Sequence, residues 1–172
     1  WWWCIQRSQW LDPRAMKRYL ALLLLSGNIL CQELTFANMN WNILMRDGGQ
    51  TTINSEAAYS CQNGFCLTKP SIIFTHDKKT YQIDAIDGAI NEHASFMTFE
   101  QITLIPPSDW TAKANKLIFT EKTKMFKLIH PKFLRGDWLI ISPVADMHLE
   151  TQSVILEGPW KIQLVNPRDK SK

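Results

Sequence analysis

The sequence predicts an all-β fold: a slightly open, twisted β-jellyroll of stacked hairpin repeats behind an N-terminal signal or anchor helix. Three observations predict it. Period-two apolar pairs recur at Ile72/Phe74, Ile83/Ala85, Ile102/Leu104, Leu117/Phe119, Phe126/Leu128, Trp138/Ile140, Met147/Leu149 and Trp160/Ile162/Leu164, with no apolar run at helical spacing after residue 31. A pattern of small residues, a polar turn and a second strand-like run returns with anchors at Ser55, Ala85, Ala112 and Ser142, intervals of 30, 27 and 30 residues by subtraction. Periods of this length mark supersecondary units that stack to share one core, although β chains in general also show strand and turn at such spacing. Prolines at 70, 106, 107, 131, 143, 159 and 167 fall at strand starts, edges or connections, where a missing N–H is tolerated.

In chain order, residues 1–15 show no period, carry Trp1, Trp2 and Trp3, and read as an extension upstream of a start at Met16. Residues 16–31 have the charged and apolar regions of a secretory signal, Met16, Lys17 and Arg18 leading into an apolar run. As a helix, residues 19–30 would extend roughly 18 Å, short of the about 20 residues of a full span. A cleaved signal, a short inner-membrane anchor and a lipoprotein signal at Cys31 are all open readings, the last opposed by the bulky Leu30. Export is common to the three.

The β domain is expected over residues 32–166, with a polar tail at 167–172. Its first strand carries Phe36, Trp41 and Ile43 and ends at Asp47, Gly48 and Gly49. Residues 53–104 then hold two copies of the repeat, the first from Ile53 to Phe74 and the second from Tyr81 to Leu104.

Cys61-Gln62-Asn63-Gly64-Phe65-Cys66 is the most specific local signal. Asn-Gly favours a two-residue type I′ turn, because both central residues need positive φ. With Asn63 and Gly64 as the turn, Cys61 and Cys66 become a directly opposed, non-hydrogen-bonded pair, whose Cα separation of about 4.5 Å lies near the short limit for a disulfide. Two reduced buried thiols are the alternative, and an exported location favours the bridge.

The formal charge of +3 is concentrated at the start of the chain: Arg7, Arg14, Lys17, Arg18 and Asp12 precede residue 32, leaving 15 basic against 15 acidic residues. A neutral body offers no general field for a polyanion, so nucleic acid is not an expected partner. His76, His93, His130 and His148 show no metal-ligand spacing, and no phosphate loop, nucleophile elbow or HExxH motif is present. No catalytic residue, metal or cofactor is expected, and Asp84, Asp87 and Glu92 read as outward polar and turn positions.

Hairpins stacked in this way can fold over into two sheets whose inner faces are apolar. The alternating set Ile72, Phe74, Ile83, Phe99, Ile102, Leu104, Phe119, Phe126, Leu128, Ile140 and Leu149 is expected to face inward, since its neighbours are largely Thr, Lys, Gln or Asp. Such a face is either a lipid-sized trough or a dry sandwich core.

The units running from Ser55 through Ala58 and Tyr59 to Pro70, Ile72 and Phe74, and from Tyr81 through Ile83, Ala85 and Gly88 to Met97 and Phe99, resemble the repeats of the lipopolysaccharide-transport β-jellyroll superfamily (OstA/LptA/LptC). The stretch from Trp138 through Pro143, Ala145, Met147 and Leu149 to Gly158 resembles the closing repeat of the LptC periplasmic component. The resemblance covers residues 34–164. It implies a non-enzymatic periplasmic lipid-transfer protein, LptC-like or, given the short N-terminal segment, LptA-like, which holds lipid A acyl chains of lipopolysaccharide on the inward set. It implies as partners an inner-membrane lipopolysaccharide ABC exporter and a further jellyroll bridge protein. The cysteine hairpin is not part of that family pattern. Two poorly defended edges would meet those partners: an early one with Phe36, Trp41 and Ile43, and a last one with Trp160, Ile162 and Leu164. An exported structural or assembly β-domain of a cell-envelope secretion or conjugation machine, with a dry core, is the alternative.

Overall fold

The computed structural model describes residues 35–45 and 49–165; the expected signal or anchor, Cys31, Leu34, the Asp47-Gly48 stop and the polar tail lie outside them. Among the described residues every regular element is a strand. They are β1 (Thr35–Leu44), β2 (Gln50–Cys61), β3 (Gly64–Thr68), β4 (Ser71–His76), β5 (Lys79–Asp84), β6 (Asp87–Asn91) and β7 (Phe96–Ile105). The remainder are β8 (Trp110–Thr120), β9 (Met125–Ile129), β10 (Lys132–Arg135), β11 (Trp138–Ile141), β12 (Val144–His148), β13 (Val154–Glu157) and β14 (Lys161–Leu164).

The pairing is antiparallel throughout and follows chain order closely. Several strands are two halves of one bent path: β3 and β4 break at Lys69-Pro70, β5 and β6 at Ala85-Ile86, β9 and β10 at His130-Pro131, β11 and β12 at Ser142-Pro143, β13 and β14 at Gly158-Pro159. Both halves of each inner path pair with the same two neighbouring paths, and both halves of the last, β13 and β14, pair with one, β12 and β11. Thus β2 offers residues 50–54 to β4 and residues 57–61 to β3. Likewise β7 pairs with both β5 and β6, and β8 with both β9 and β10. The result is one 14-stranded meander folded along one line into two facing halves, the two sheets of a jellyroll-like all-β architecture.

The bend leaves a signature in the sequence. Along a flat strand the inward face recurs every second residue, but at each bend the buried positions step by three: Ser55 to Ala58, Leu67 to Pro70, Phe99 to Ile102, Ala114 to Leu117, Leu128 to Pro131, Ser142 to Ala145. Alternate paths make the step differently. Asn38, Lys69, Gln101 and His130 adopt left-handed backbone, with φ from 45° to 51°, and Gly158 has φ 75°. The intervening paths bend at Ser55, Ala85, Ala114 and Ser142 without a positive φ. The third repeat anchor is therefore Ala114 and not Ala112, because Ala112 sits one inward position before the bend.

Two of the small inward residues also bond backbone carbonyls beside the bend. The Ser55 hydroxyl lies 2.6 Å from the Ala57 carbonyl and 2.7 Å from that of Thr68. The Ser142 hydroxyl lies 2.7 Å from the Val144 carbonyl and 3.0 Å from that of Glu157. Each hydroxyl has one proton to share between the carbonyls of two residues paired at the end of a ladder, Ala57 with Thr68 and Val144 with Glu157.

Cys61 and Cys66 are joined, with Cα atoms 5.8 Å apart, but the register differs from the sequence expectation. Cys61 faces Gly64 and Cys66 faces Tyr59, so Gln62-Asn63 form the turn and the bridge runs diagonally. The competing constraint is tertiary. Gly64 is held in the β3–β6 ladder opposite Asn91, and Asn63 lacks the positive φ that a type I′ turn at Asn63-Gly64 would need. A bridge closing so short a loop contributes about 2 kcal/mol. Replacing both cysteines by serine should lower the unfolding free energy in urea by that amount.

The two sheets meet through aromatic rings. Phe74 on β4 packs against Phe119 on β8 and Phe126 on β9, with centroids 4.9 and 5.2 Å apart, and Tyr81 on β5 lies 6.1 Å from Phe126. The Tyr81 hydroxyl donates to the Leu149 carbonyl at 2.9 Å, tying the two sheets together. Burial raises the Tyr81 pKa above its usual 10.0, against a smaller lowering by a hydrogen bond with Gln152. The phenol loses its proton more readily unfolded than folded, so its contribution is whole below about pH 10 and declines as pH rises from there towards the folded pKa. The melting temperature should accordingly fall more steeply above pH 10 in the wild type than in Tyr81→Phe.

Candidate functional site: the inner apolar face

The inner face is assembled from positions that alternate outside the bends. Ile72 and Phe74 come from β4, Ile83 from β5, Phe99, Ile102 and Leu104 from β7, Phe119 from β8, Phe126 and Leu128 from β9, and Leu149 from the turn just after β12. All ten are buried, none more than 2% exposed. Ile140, on β11, is only partly buried. The outward neighbours Thr75, Gln101 and Lys127 are half-buried or exposed.

Packing is uneven along this face. In the middle, the contact of Phe74 with Phe119 and Phe126 closes the space between the sheets. Toward the C-terminal end the cover runs out. Trp138 pairs with Leu164 and Ile140 with Ile162, so these four share the face of buried Phe133, which is opposite Ile140. Trp138, Ile162 and Leu164 are 51%, 48% and 68% exposed, and Trp160 just before β14 is also exposed. Facing sheet residues Val154 and Leu156 on β13 are only partly buried. The apolar face therefore continues past the packed core into solvent, where sequence alternation alone gave no sign that Trp138 would stand at an opening.

At the other end, Phe36 is 45% exposed, whereas Trp41 and Ile43 are partly buried against the core. Trp41 meets Phe65 of the cysteine hairpin edge-on, with centroids 4.8 Å apart. β1 pairs only with β2, and β14 only with β11. The early and last strands thus each keep one unpaired backbone edge among the described residues, as does β13 beside β12. Such edges are available for strand addition.

The outer faces carry ion pairs interspersed with exposed apolar residues such as Ile73, Phe96, Ile105, Leu134 and Ile155. Lys116 pairs with Glu100 at 2.8 Å, Lys69 with Glu56 at 3.1 Å, and Lys127 with Asp146 and Glu157 at 3.8 Å; Arg135, which shares the face of Phe133 at the uncovered end, pairs with Asp109 at 3.0 Å. These exposed pairs contribute about 0–1 kcal/mol each. Among the described residues no three His, Cys, Asp or Glu side chains converge as a metal site. His76 ends β4, His93 is in a turn, His130 sits at a bend and His148 ends β12, so the four histidines are dispersed.

The chain matches no protein-family model and no curated protein. An apolar surface continuous with a core and flanked by unpaired edges suits an amphipathic ligand or a like surface of a partner.

Proposed function

We propose that this protein is a non-enzymatic carrier of an amphipathic lipid in the periplasm, LptC-like or LptA-like, that receives lipopolysaccharide from an inner-membrane ABC exporter and passes it to a further jellyroll. The observation that supports this reading is the inner face that leaves the core uncovered at Trp138, Ile140, Ile162 and Leu164. Acyl chains would enter there and part the sheets along the inward set, leaving phosphates and sugars at the polar rim. The disulfide fits an oxidising, extracytoplasmic compartment. β1 is the edge proposed to meet the exporter, and β14 the edge proposed to meet the next jellyroll.

Photo-crosslinkers at Ile140, Ile162, Phe99 and Leu104, in protein expressed in a cell envelope, should capture lipopolysaccharide, and those at Thr75, Gln101 and Lys127 should not. Equal labelling of the two sets would reject the carrier reading.

The aromatic contact between the sheets favours a second reading, an exported structural or assembly domain with a dry core. On that reading a protein partner covers the open end, no lipid is captured anywhere, and crosslinkers at Ile162 and Leu164 join protein to protein.

A further inference from the structure

The bend line has an outer side as well as an inner one, and there the paths from β5–β6 to β9–β10 form an open groove of about 370 Å³. Its charge is one-sided. Lys113 of β8 and Lys132 of β10 stand directly opposite one another in the ladder and both line it. Directly opposed side chains have Cβ atoms about 5 Å apart, and like charges in that arrangement are destabilising. Every other basic residue on β8, β9 and β10 is neutralised: Lys116 by Glu100, Lys127 by Asp146 and Glu157, Arg135 by Asp109. Lys113 and Lys132 make no ion pair among the described residues. The unmatched pair lines this groove.

Neutral hydrogen-bonding groups surround the pair. The Asn115 amide nitrogen lies 3.5 Å from His130 Nδ1, and Gln101 and Thr103 complete a polar wall. On the opposite wall Ile86 is 55% exposed, an apolar surface for something larger than a bare ion. Two adjacent cations with amide, hydroxyl and imidazole groups beside them match a dianion with several terminal oxygens better than a single carboxylate. Lys113 lies between the buried Ala112 and Ala114, and Lys132 between the buried Pro131 and Phe133, so both lysines point away from the inner face.

We infer that this outer crease is a binding site for a phosphate monoester attached to an organic group, separate from the inner apolar face. A soluble sugar phosphate and a phosphomonoester lipid headgroup present the same chemistry, and the inference does not depend on the carrier reading.

The full chain would be titrated by ¹H–¹⁵N NMR with glucose 1-phosphate, and mixed with phosphatidylcholine vesicles with and without phosphatidic acid. The expected result is a saturable response of the amides of Lys113, Asn115, His130 and Lys132 to at least one phosphate source, weakened about tenfold or more in Lys113→Gln/Lys132→Gln. Arg135→Gln, which removes a neighbouring but paired cation, should keep wild-type affinity. Response to glucose 1-phosphate alone assigns a soluble ligand, and response only to phosphatidic acid vesicles assigns a headgroup. Silence toward both sources, or a response that survives the double substitution, overturns the inference.

Discussion

Phe126→Ala should lower the unfolding free energy by about 3–5 kcal/mol, the cost of removing a buried aromatic ring whose site cannot collapse. The ring is fully buried and sits where three others converge, touching Phe74 and Tyr81 from the opposite sheet and Phe119 from its own. Its loss would leave both sheets facing a void, and β-ladder bonds on either side would keep them from closing it. Against a typical total of about 5–15 kcal/mol for a domain, that is a large fraction. Urea denaturation followed by tryptophan fluorescence measures it. A loss under about 1 kcal/mol would show that the sheets are not held together at this contact.

Gly64→Ala should be the most damaging single-methyl addition. Gly64 has φ 142°, and a Cβ there would run into the Ile90 carbonyl and lie 2.8 Å from the Asn91 Cα. The neighbours are backbone and cannot rotate aside, so the β3–β6 ladder must open at Gly64–Asn91. Strained backbone of this kind costs about 1–3 kcal/mol, and a lost ladder bond about 1 kcal/mol more. Gly136→Ala is the contrast: φ is 56°, but nothing lies within 4 Å of the added carbon, so about 1 kcal/mol is expected. Comparing the two unfolding midpoints, with amide exchange at Phe65 and Ile90, separates the clash from the general cost of replacing glycine.

Alternation made much of the inward face legible, because Ile72/Phe74, Ile102/Leu104 and Phe126/Leu128 sit on straight half-strands where period two holds. The three-residue step was visible as Ser55 to Ala58 and Ala85 to Gly88, yet its meaning as a bend was not, since a step of three also fits an ordinary bulge. That ambiguity displaced one anchor from Ala114 to Ala112. At the cysteine hairpin, local turn preference pointed to Asn63-Gly64, while the pairing of Gly64 with distant Asn91 prevailed. The crease groove was illegible for a related reason: Gln101, Lys113 and His130 are brought together only by the fold line. Which end of the inner face stays uncovered depends on where the meander stops, and alternation carries no information about that.

Because each path pairs only with the paths just before and after it in the chain, its ladders close short loops. Relative contact order is thereby kept low for a β protein, and low contact order goes with faster folding than in sandwiches of crossed connectivity. Only the cross-sheet contacts, such as Tyr81 with Leu149, join distant parts of the chain. The ladder can therefore zip progressively from any hairpin, with the two sheets docking afterwards. The same arrangement has a modular consequence. A hairpin gained or lost at the β14 end would lengthen or shorten the meander without re-registering any strand behind it, as repeats do in a solenoid.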